Sequence, residues 1–184
     1  MQVIFIRHGE PDYSHVERRG FIGHGLDLGP LTPDGIQQAE QAAADPRLDG
    51  IQLIVASPYT RALQTAAIIS RRRDIEIAVE VDLHEWLPDT TYTTGGAAIW
   101  LEQYRALRAA ESGILPDIEA FESVFSRAKA VLKRYAHYDK IAVVAHGVLI
   151  RQFTPRASLG YCGITEFAYH DGIQWPGAAD MPDW

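Results

Sequence analysis

Three of the strand-length apolar runs in this chain have no polar face. Residues 3–6 (VIFI), 53–56 (LIVA) and 141–145 (IAVVA) are continuously apolar rather than alternating. A strand of this kind must be covered on both sides, which is the environment of a parallel sheet flanked by helices. A fourth run, 75–81 (IEIAVEV), alternates Ile75, Ile77, Val79 and Val81 with Glu76 and Glu80 and reads as an edge strand with one wet face. A fifth is 166–170 (EFAYH). Helical segments lie between them. LTPDGIQQAEQAAA opens with Thr32 as N-cap and Pro33 at the first helical position, and SPYTRALQTAAIISRRR repeats that grammar with Ser57 and Pro58. Residues 118–136 place Ile118, Phe121, Phe125, Ala128, Leu132 and Tyr135 at helical spacing, and another helix is expected over 97–110. Strands alternating with helices predict a three-layer α/β/α sandwich with a mainly parallel sheet. No repeat or linker divides the 184 residues, so one domain over 1–184 is expected, with an irregular tail after His170.

Charge and cysteine content remove several classes of function. The net charge of −7 argues against a nucleic-acid surface. No apolar run approaches the roughly 20 residues of a membrane span. The start, MQVIFIRHGE, lacks a basic segment followed by a long apolar one, so no signal peptide is read there. The single cysteine, Cys162, cannot form an internal disulfide and fits a reducing cytoplasm. An acidic chain that binds anions must concentrate its positive charge in one place, which makes each well-placed arginine informative.

Three strand runs end in chemically unusual residues: VIFI in RHGE, LIVA in SPYTRA, and IAVVA in HG. Charged groups at the edge of a core are costly unless something pairs with them. Arg7 and His8 are therefore either capped by acidic neighbours or held ready for an anionic ligand. In open parallel sheets, ligands bind in the crevice at the carboxyl ends of the strands. Parallel strands would bring Arg7, His8, Ser57, Arg61 and His146 to one rim, with Arg61 in the first turn of a helix where the dipole favours an anion. Two guanidiniums and two imidazoles make a cup for a tetrahedral dianion, since arginine offers paired donors and stays charged. The histidines show no HxH or HExxH spacing, so no metal site and no cofactor are expected.

The blocks RHGE, LTPDGIQQA, SPYTRALQTA, LHEW and AHG, in this order and spacing, resemble the histidine phosphatase superfamily, phosphoglycerate-mutase-like branch 1, from the first strand to about residue 151. The resemblance implies His8 as a nucleophile that becomes a phosphohistidine. It implies Arg7, Arg61 and His146 as ligands of the non-bridging oxygens, and Glu85 as proton donor to the leaving group. Ser14, which falls where the mutases have asparagine, would be a further phosphate ligand with less reach. The chemistry is coherent: a neutral imidazole is a good nucleophile near pH 7, and the same carboxyl group can protonate an alkoxide and later activate water. Gly9 would let the backbone turn tightly under His8, so that a main-chain carbonyl fixes its tautomer.

Other readings stand beside these. Asp82 and Glu80 are carboxylates near Glu85. His24, in GHGLD, reads as a surface residue of a Gly-rich loop, and the run Arg71–Arg72–Arg73 as a solvated helix end. Trp86 and Tyr92 either stack on a substrate or pack a loop. The stretch after Glu85, WLPDTTYTTGGAA, has no lysine or arginine, unlike the basic segment of a mutase, and WLPD departs from the ribazole-phosphatase pattern. The expected activity is thus metal-independent hydrolysis of a small phosphorylated metabolite with a neutral or sugar-like alcohol, releasing inorganic phosphate. A mutase-type phosphotransferase and a non-catalytic phosphate-binding module are the alternatives.

Overall fold

The computed structural model describes residues 1–93, 97–110, 112–155 and 159–177. Its elements run β1 (Gln2–Arg7), α1 (Ser14–Arg18), α2 (Pro33–Ala43), β2 (Ile54–Ala56), α3 (Thr60–Arg73), β3 (Ile77–Val79), α4 (Ala97–Ala109), α5 (Phe121–Arg134), β4 (Lys140–Ala145), α6 (Gly147–Arg151) and β5 (Ile164–Ala168). The five strands form one sheet in the order β3-β2-β4-β1-β5. β1, β2, β3 and β4 are parallel, and β5 closes the β1 edge antiparallel. The alternating run is an edge strand, as its wet face requires, although only its middle three residues pair.

Both faces of the central strands are buried, which is why their sequences do not alternate. Val3, Phe5, Val55, Ile141 and Val143 point to one side and pack with Phe121, Val124, Phe125, Ala128 and Leu132 of α5. Ile4, Ile6, Ile54, Ala56, Ala142 and Val144 point to the other and meet Ala62, Ala66 and Ile69 of α3. The register then sets the rim. Arg7 lies opposite Ala145, and Ala56 opposite Val144, so the residues that follow each strand emerge side by side. The His8 amide donates to the Ala145 carbonyl and the Ser57 amide to the Val144 carbonyl, each at 3.0 Å, which extends the ladder one residue into the site.

Helix α2 starts as its sequence predicts, with the Gly35 amide donating to Thr32 Oγ1 at 2.9 Å. α3 does not start at Ser57 and Pro58. Its N-cap is Tyr59, with no side-chain cap, and the Ser57 hydroxyl faces His146 instead. Helix α6, which follows His146 directly, was not read from the sequence; its five residues are too few to show a period. Of the tail, residues 171–177 contain no helix or strand, and 178–184 lie outside the described residues.

Candidate active site

A cavity of about 310 Å³ opens at the carboxyl ends of β1 and β2, and His146, which follows β4, is not among its lining residues. Arg7, His8, Tyr59, Arg61, Glu85 and Tyr161 line one part of it, and His24, Asp27, Tyr92, Leu87, Pro88 and Trp100 another. His8 is buried at the end of β1, and its Nδ1 lies 2.7 Å from the Gly9 carbonyl. A carbonyl can only accept, so Nδ1 carries the proton and Nε2 keeps the lone pair. Burial, together with the charges of Arg61 and Arg7, holds the His8 pKa well below the ordinary imidazole value, against the opposing effect of the Gly9 carbonyl.

Gly9 serves this geometry by its smallness rather than by an unusual backbone angle. A Cβ there would meet the Gly35 carbonyl oxygen at 2.6 Å, and one on Gly35 would meet the Glu10 carbonyl oxygen at 2.3 Å. The loop after β1 therefore rests directly on the start of α2. Thr65 of α3 ties the same point from below, accepting from the Gly9 amide at 3.0 Å and donating to the Arg61 carbonyl at 2.8 Å.

The two arginines are held differently. Arg7 donates from Nη1 to the Leu159 carbonyl at 2.8 Å and lies 4.6 Å from the centre of the Tyr161 ring. Arg61, buried in the first turn of α3, donates from Nη1 to Asp27 Oδ1 at 3.0 Å and lies 4.9 Å from the Tyr59 ring centre. Asp27 had no place in the sequence reading; GHGLD drew attention only through His24. That histidine is not a detached surface residue. Its Nδ1 is 3.2 Å from Asp27 Oδ2 and 3.4 Å from the Tyr59 hydroxyl, and its ring lies 4.4 Å from that of Tyr92. Tyr161, whose ring centre is 5.8 Å from that of His8, was also missed, and no motif marks it.

His146 is fully buried, with its ring 5.2 Å from His8 and 5.1 Å from Tyr59. Its Nε2 lies 2.7 Å from Ser57 Oγ, and its buried Nδ1 has no partner among the described residues. Burial, with Arg61 next, lowers its pKa well below the ordinary value. Ser14 is not brought to the cavity lining; it begins α1, and its amide donates to Asp12 Oδ1 at 2.8 Å.

Of the three candidate carboxylates, only Glu85 lines the cavity. Glu80 is engaged on the outer surface with Arg134 and Tyr135, and Asp82 is half exposed beside Arg134. Glu85 Oε1 accepts from the Trp86 amide at 2.9 Å and the Leu149 amide at 3.1 Å, and Oε2 accepts from the Val148 amide at 3.1 Å. Desolvation raises its pKa above the ordinary carboxylate value, outweighing these three amides and Arg61. Trp86 packs in the core, donating from Nε1 to the Glu119 carbonyl, and also borders the cavity, while Tyr92 is exposed at the cavity wall. Among the described residues, no three His, Cys, Asp or Glu side chains gather where they could hold a metal ion, and no helix is long and apolar enough to cross a membrane.

The carboxyl rim of a mostly parallel sheet in this α/β protein thus carries two arginines and two buried imidazoles. The chain belongs to the histidine phosphatase superfamily (branch 1), whose family model matches residues 3–168. It is 29% identical over 157 residues to a probable phosphoglycerate mutase, GpmB, of Enterobacter sp. (strain 638), a match covering 82% of this chain and 71% of that one. In three dimensions it resembles a mycobacterial glucosyl-3-phosphoglycerate phosphatase solved with inorganic phosphate (TM-score 0.71, 20% identity, covering 98% of this chain and 99% of that one). It also resembles the alpha-ribazole phosphatase of Shigella flexneri (TM-score 0.60, 23% identity, covering 87% and 81%).

Proposed function

We propose that this protein is a single-domain phosphomonoester hydrolase working through a phosphohistidine on His8. The observation that carries this reading is the His8 imidazole, buried, neutral and tautomerically fixed by Gly9 so that Nε2 bears the lone pair beside two guanidiniums. Nε2 attacks phosphorus in line as the ester oxygen departs. Arg7 and Arg61 balance the charge on the equatorial oxygens, and His146, its ring 5.2 Å from that of His8 and its Nδ1 unpartnered among the described residues, is the further ligand in this reading. With positive charge supplied by arginine, the reaction needs no metal ion.

Glu85 donates the proton to the leaving oxygen. Its two oxygens are not equivalent, because Oε1 already accepts from two amides and Oε2 from one. Oε2 therefore has the lone pair to spare for a proton. The resulting carboxylate, still held by three amides, then takes a proton from the water that cleaves the phosphohistidine, releasing inorganic phosphate and restoring both groups.

The alcohol side of the cavity supports hydrolysis of a small metabolite rather than mutase transfer. Leu87, Pro88, Tyr92, Ile99 and Trp100 form much of that wall, joined by His24, Asp27, Asp89 and Glu17, and among the described residues the arginines lining the cavity are the two beside His8. A substrate carboxylate or second phosphate would find acidic and aromatic neighbours there, while a neutral, hydroxyl-bearing alcohol would find ring faces and acceptors. A mutase keeps the names of the curated relatives on its side, and a phosphoryl-acceptor test separates the two readings. Rapid acid-free quenching during turnover of a panel of phosphorylated metabolites should trap an alkali-stable, acid-labile phosphoryl group that is absent in His8→Ala. Phosphate release should equal substrate loss; transfer of the group to a second alcohol instead of water would show a mutase.

A further inference from the structure

The segment that carries Glu85 has no secondary structure of its own: residues 84–88 belong to no helix or strand. Yet a proton donor must sit within a fraction of an ångström of its productive place, and misplacement by about 1 Å can cost roughly a hundredfold in rate. One side chain gathers the backbone of this loop. Arg127 of α5 donates from Nη1 to the Asp82 carbonyl at 2.6 Å and the His84 carbonyl at 2.8 Å, and from Nη2 to the carbonyl of Glu85 itself at 3.3 Å. Its other edge is paired with Glu119, Nε to Oε1 at 2.7 Å and Nη2 to Oε2 at 3.1 Å. Glu119 closes the loop from the far side. Its Oε2 accepts from the Leu87 amide at 3.1 Å, its carbonyl accepts from Trp86 Nε1 at 2.6 Å, and its amide donates to the Leu87 carbonyl at 3.0 Å.

We infer that Arg127 is a positioning residue for the reaction: the Arg127–Glu119 pair clamps the loop so that the Glu85 carboxyl group meets the leaving oxygen. This rests on the reading of Glu85 as proton donor. The pair is nearly buried, with side chains 12% and 9% exposed. A buried ion pair is a poor device for stability alone, since apolar residues of similar volume commonly do as well or better. What apolar residues cannot do is satisfy three converging carbonyls, and only a planar fork of five N–H donors fits them while also pairing with a carboxylate. Together with the three amides on its carboxylate, Glu85 is thereby held at both its backbone and its side chain.

The test compares Arg127→Lys, which keeps a cation opposite Glu119 but lacks the fork, with wild type and Glu85→Gln. The readout is the burst rate of phosphohistidine formation from 2-glycerol phosphate, an alkyl ester that cannot lose its alkoxide unprotonated, and from p-nitrophenyl phosphate, which nearly can. For Arg127→Lys we expect a fall of about tenfold or more on the alkyl ester and less than about threefold on the aryl ester. Equal falls on both, or no fall on either, would overturn the positioning role. Should Arg127→Lys lack a cooperative thermal transition, the double variant Arg127→Met/Glu119→Leu, which removes both buried charges together, takes its place with the same expectation. If Glu85→Gln shows no alkyl-against-aryl difference, it is the proton-donor reading that fails. If Glu85→Gln shows the difference and the Arg127 variants do not, only the clamp fails.

Discussion

Arg61 Nη1 and Asp27 Oδ1 are 3.0 Å apart, so the guanidinium in the first turn of α3 already has an acidic partner. The other oxygen of Asp27 is 3.2 Å from His24, which links the Arg61 side of the cavity to the side lined by His24 and Tyr92 through one carboxylate. Asp27 orients the arginine and at the same time opposes the charge it would offer to a dianion.

Replacing Asp27 by asparagine keeps an acceptor oxygen for Arg61 and removes the charge. Inorganic phosphate should then inhibit more strongly, with Ki lower by about three- to tenfold, the size of one unit-charge interaction at about 4 Å screened as in water. An unchanged or higher Ki in competitive inhibition assays would show that Asp27 acts only by placing the arginine.

The lysine variant of Arg61 keeps the charge but loses the paired donors. By comparison with the loss of an oxyanion donor, kcat should fall by roughly a hundredfold. Wild-type turnover in Arg61→Lys would remove it from the phosphate site.

Burial moves the two reacting groups in opposite directions, His8 down and Glu85 up. At their ordinary values, near 6.5 and 4.3, a neutral imidazole and a protonated carboxyl group would rarely coexist. Both shifts raise the fraction of the chain in which they do. Activity on an alkyl phosphate should fall at high pH as Glu85 loses its proton and at low pH as His8 gains one. Glu85→Gln should lower the alkyl rate by about 10²–10⁴ and remove the high-pH limb of phosphohistidine formation from p-nitrophenyl phosphate. Retention of that limb in the glutamine variant would assign it to another group.

The same shifts set the pH dependence of stability. Between the ordinary imidazole value and their lowered folded values, His8 and His146 bind fewer protons than they do in the unfolded chain, so each contributes stability above pH 6.5 that is lost on acidification. Glu85 works oppositely, because its raised folded value means the folded chain holds a proton that the unfolded one releases. Each group changes stability by about 1.4 kcal/mol per pH unit within its window. Two imidazoles outweigh one carboxyl group, so the melting temperature without phosphate should fall between pH 6.5 and 5, and fall more steeply in Glu85→Gln. A flat profile in both proteins would contradict the burial of the two imidazoles in solution.

Hydrolysis should persist in excess EDTA at close to its full rate, since Arg7 and Arg61 supply the charge a metal otherwise would. Loss of activity restored by a single divalent cation would require a different arrangement of the site.

What the sequence determined by itself was whatever depends on local composition. Uninterrupted apolar runs at 3–6, 53–56 and 141–145 can only be strands covered on both faces, so the parallel sheet and its flanking helices were legible, and with them the rim at which Arg7, His8, Ser57, Arg61 and His146 meet. The short α6, the antiparallel direction of β5 and the true start of α3 were not, because a five-residue helix has no measurable period, a strand's direction is set by its partner across the sheet, and a helix start yields to tertiary demands on the capping side chain, as Ser57 does to His146. Only the tertiary structure decided which carboxylate faces the cavity. Glu80, Asp82 and Glu85 are near neighbours in one chain segment, and they are told apart by amides from α6, by Arg127 and by Arg134, all distant in sequence. It also decided that Asp27 meets Arg61 and that Tyr161 covers Arg7, since the electrostatic and packing forces behind such contacts act through space and leave no periodic trace along the chain.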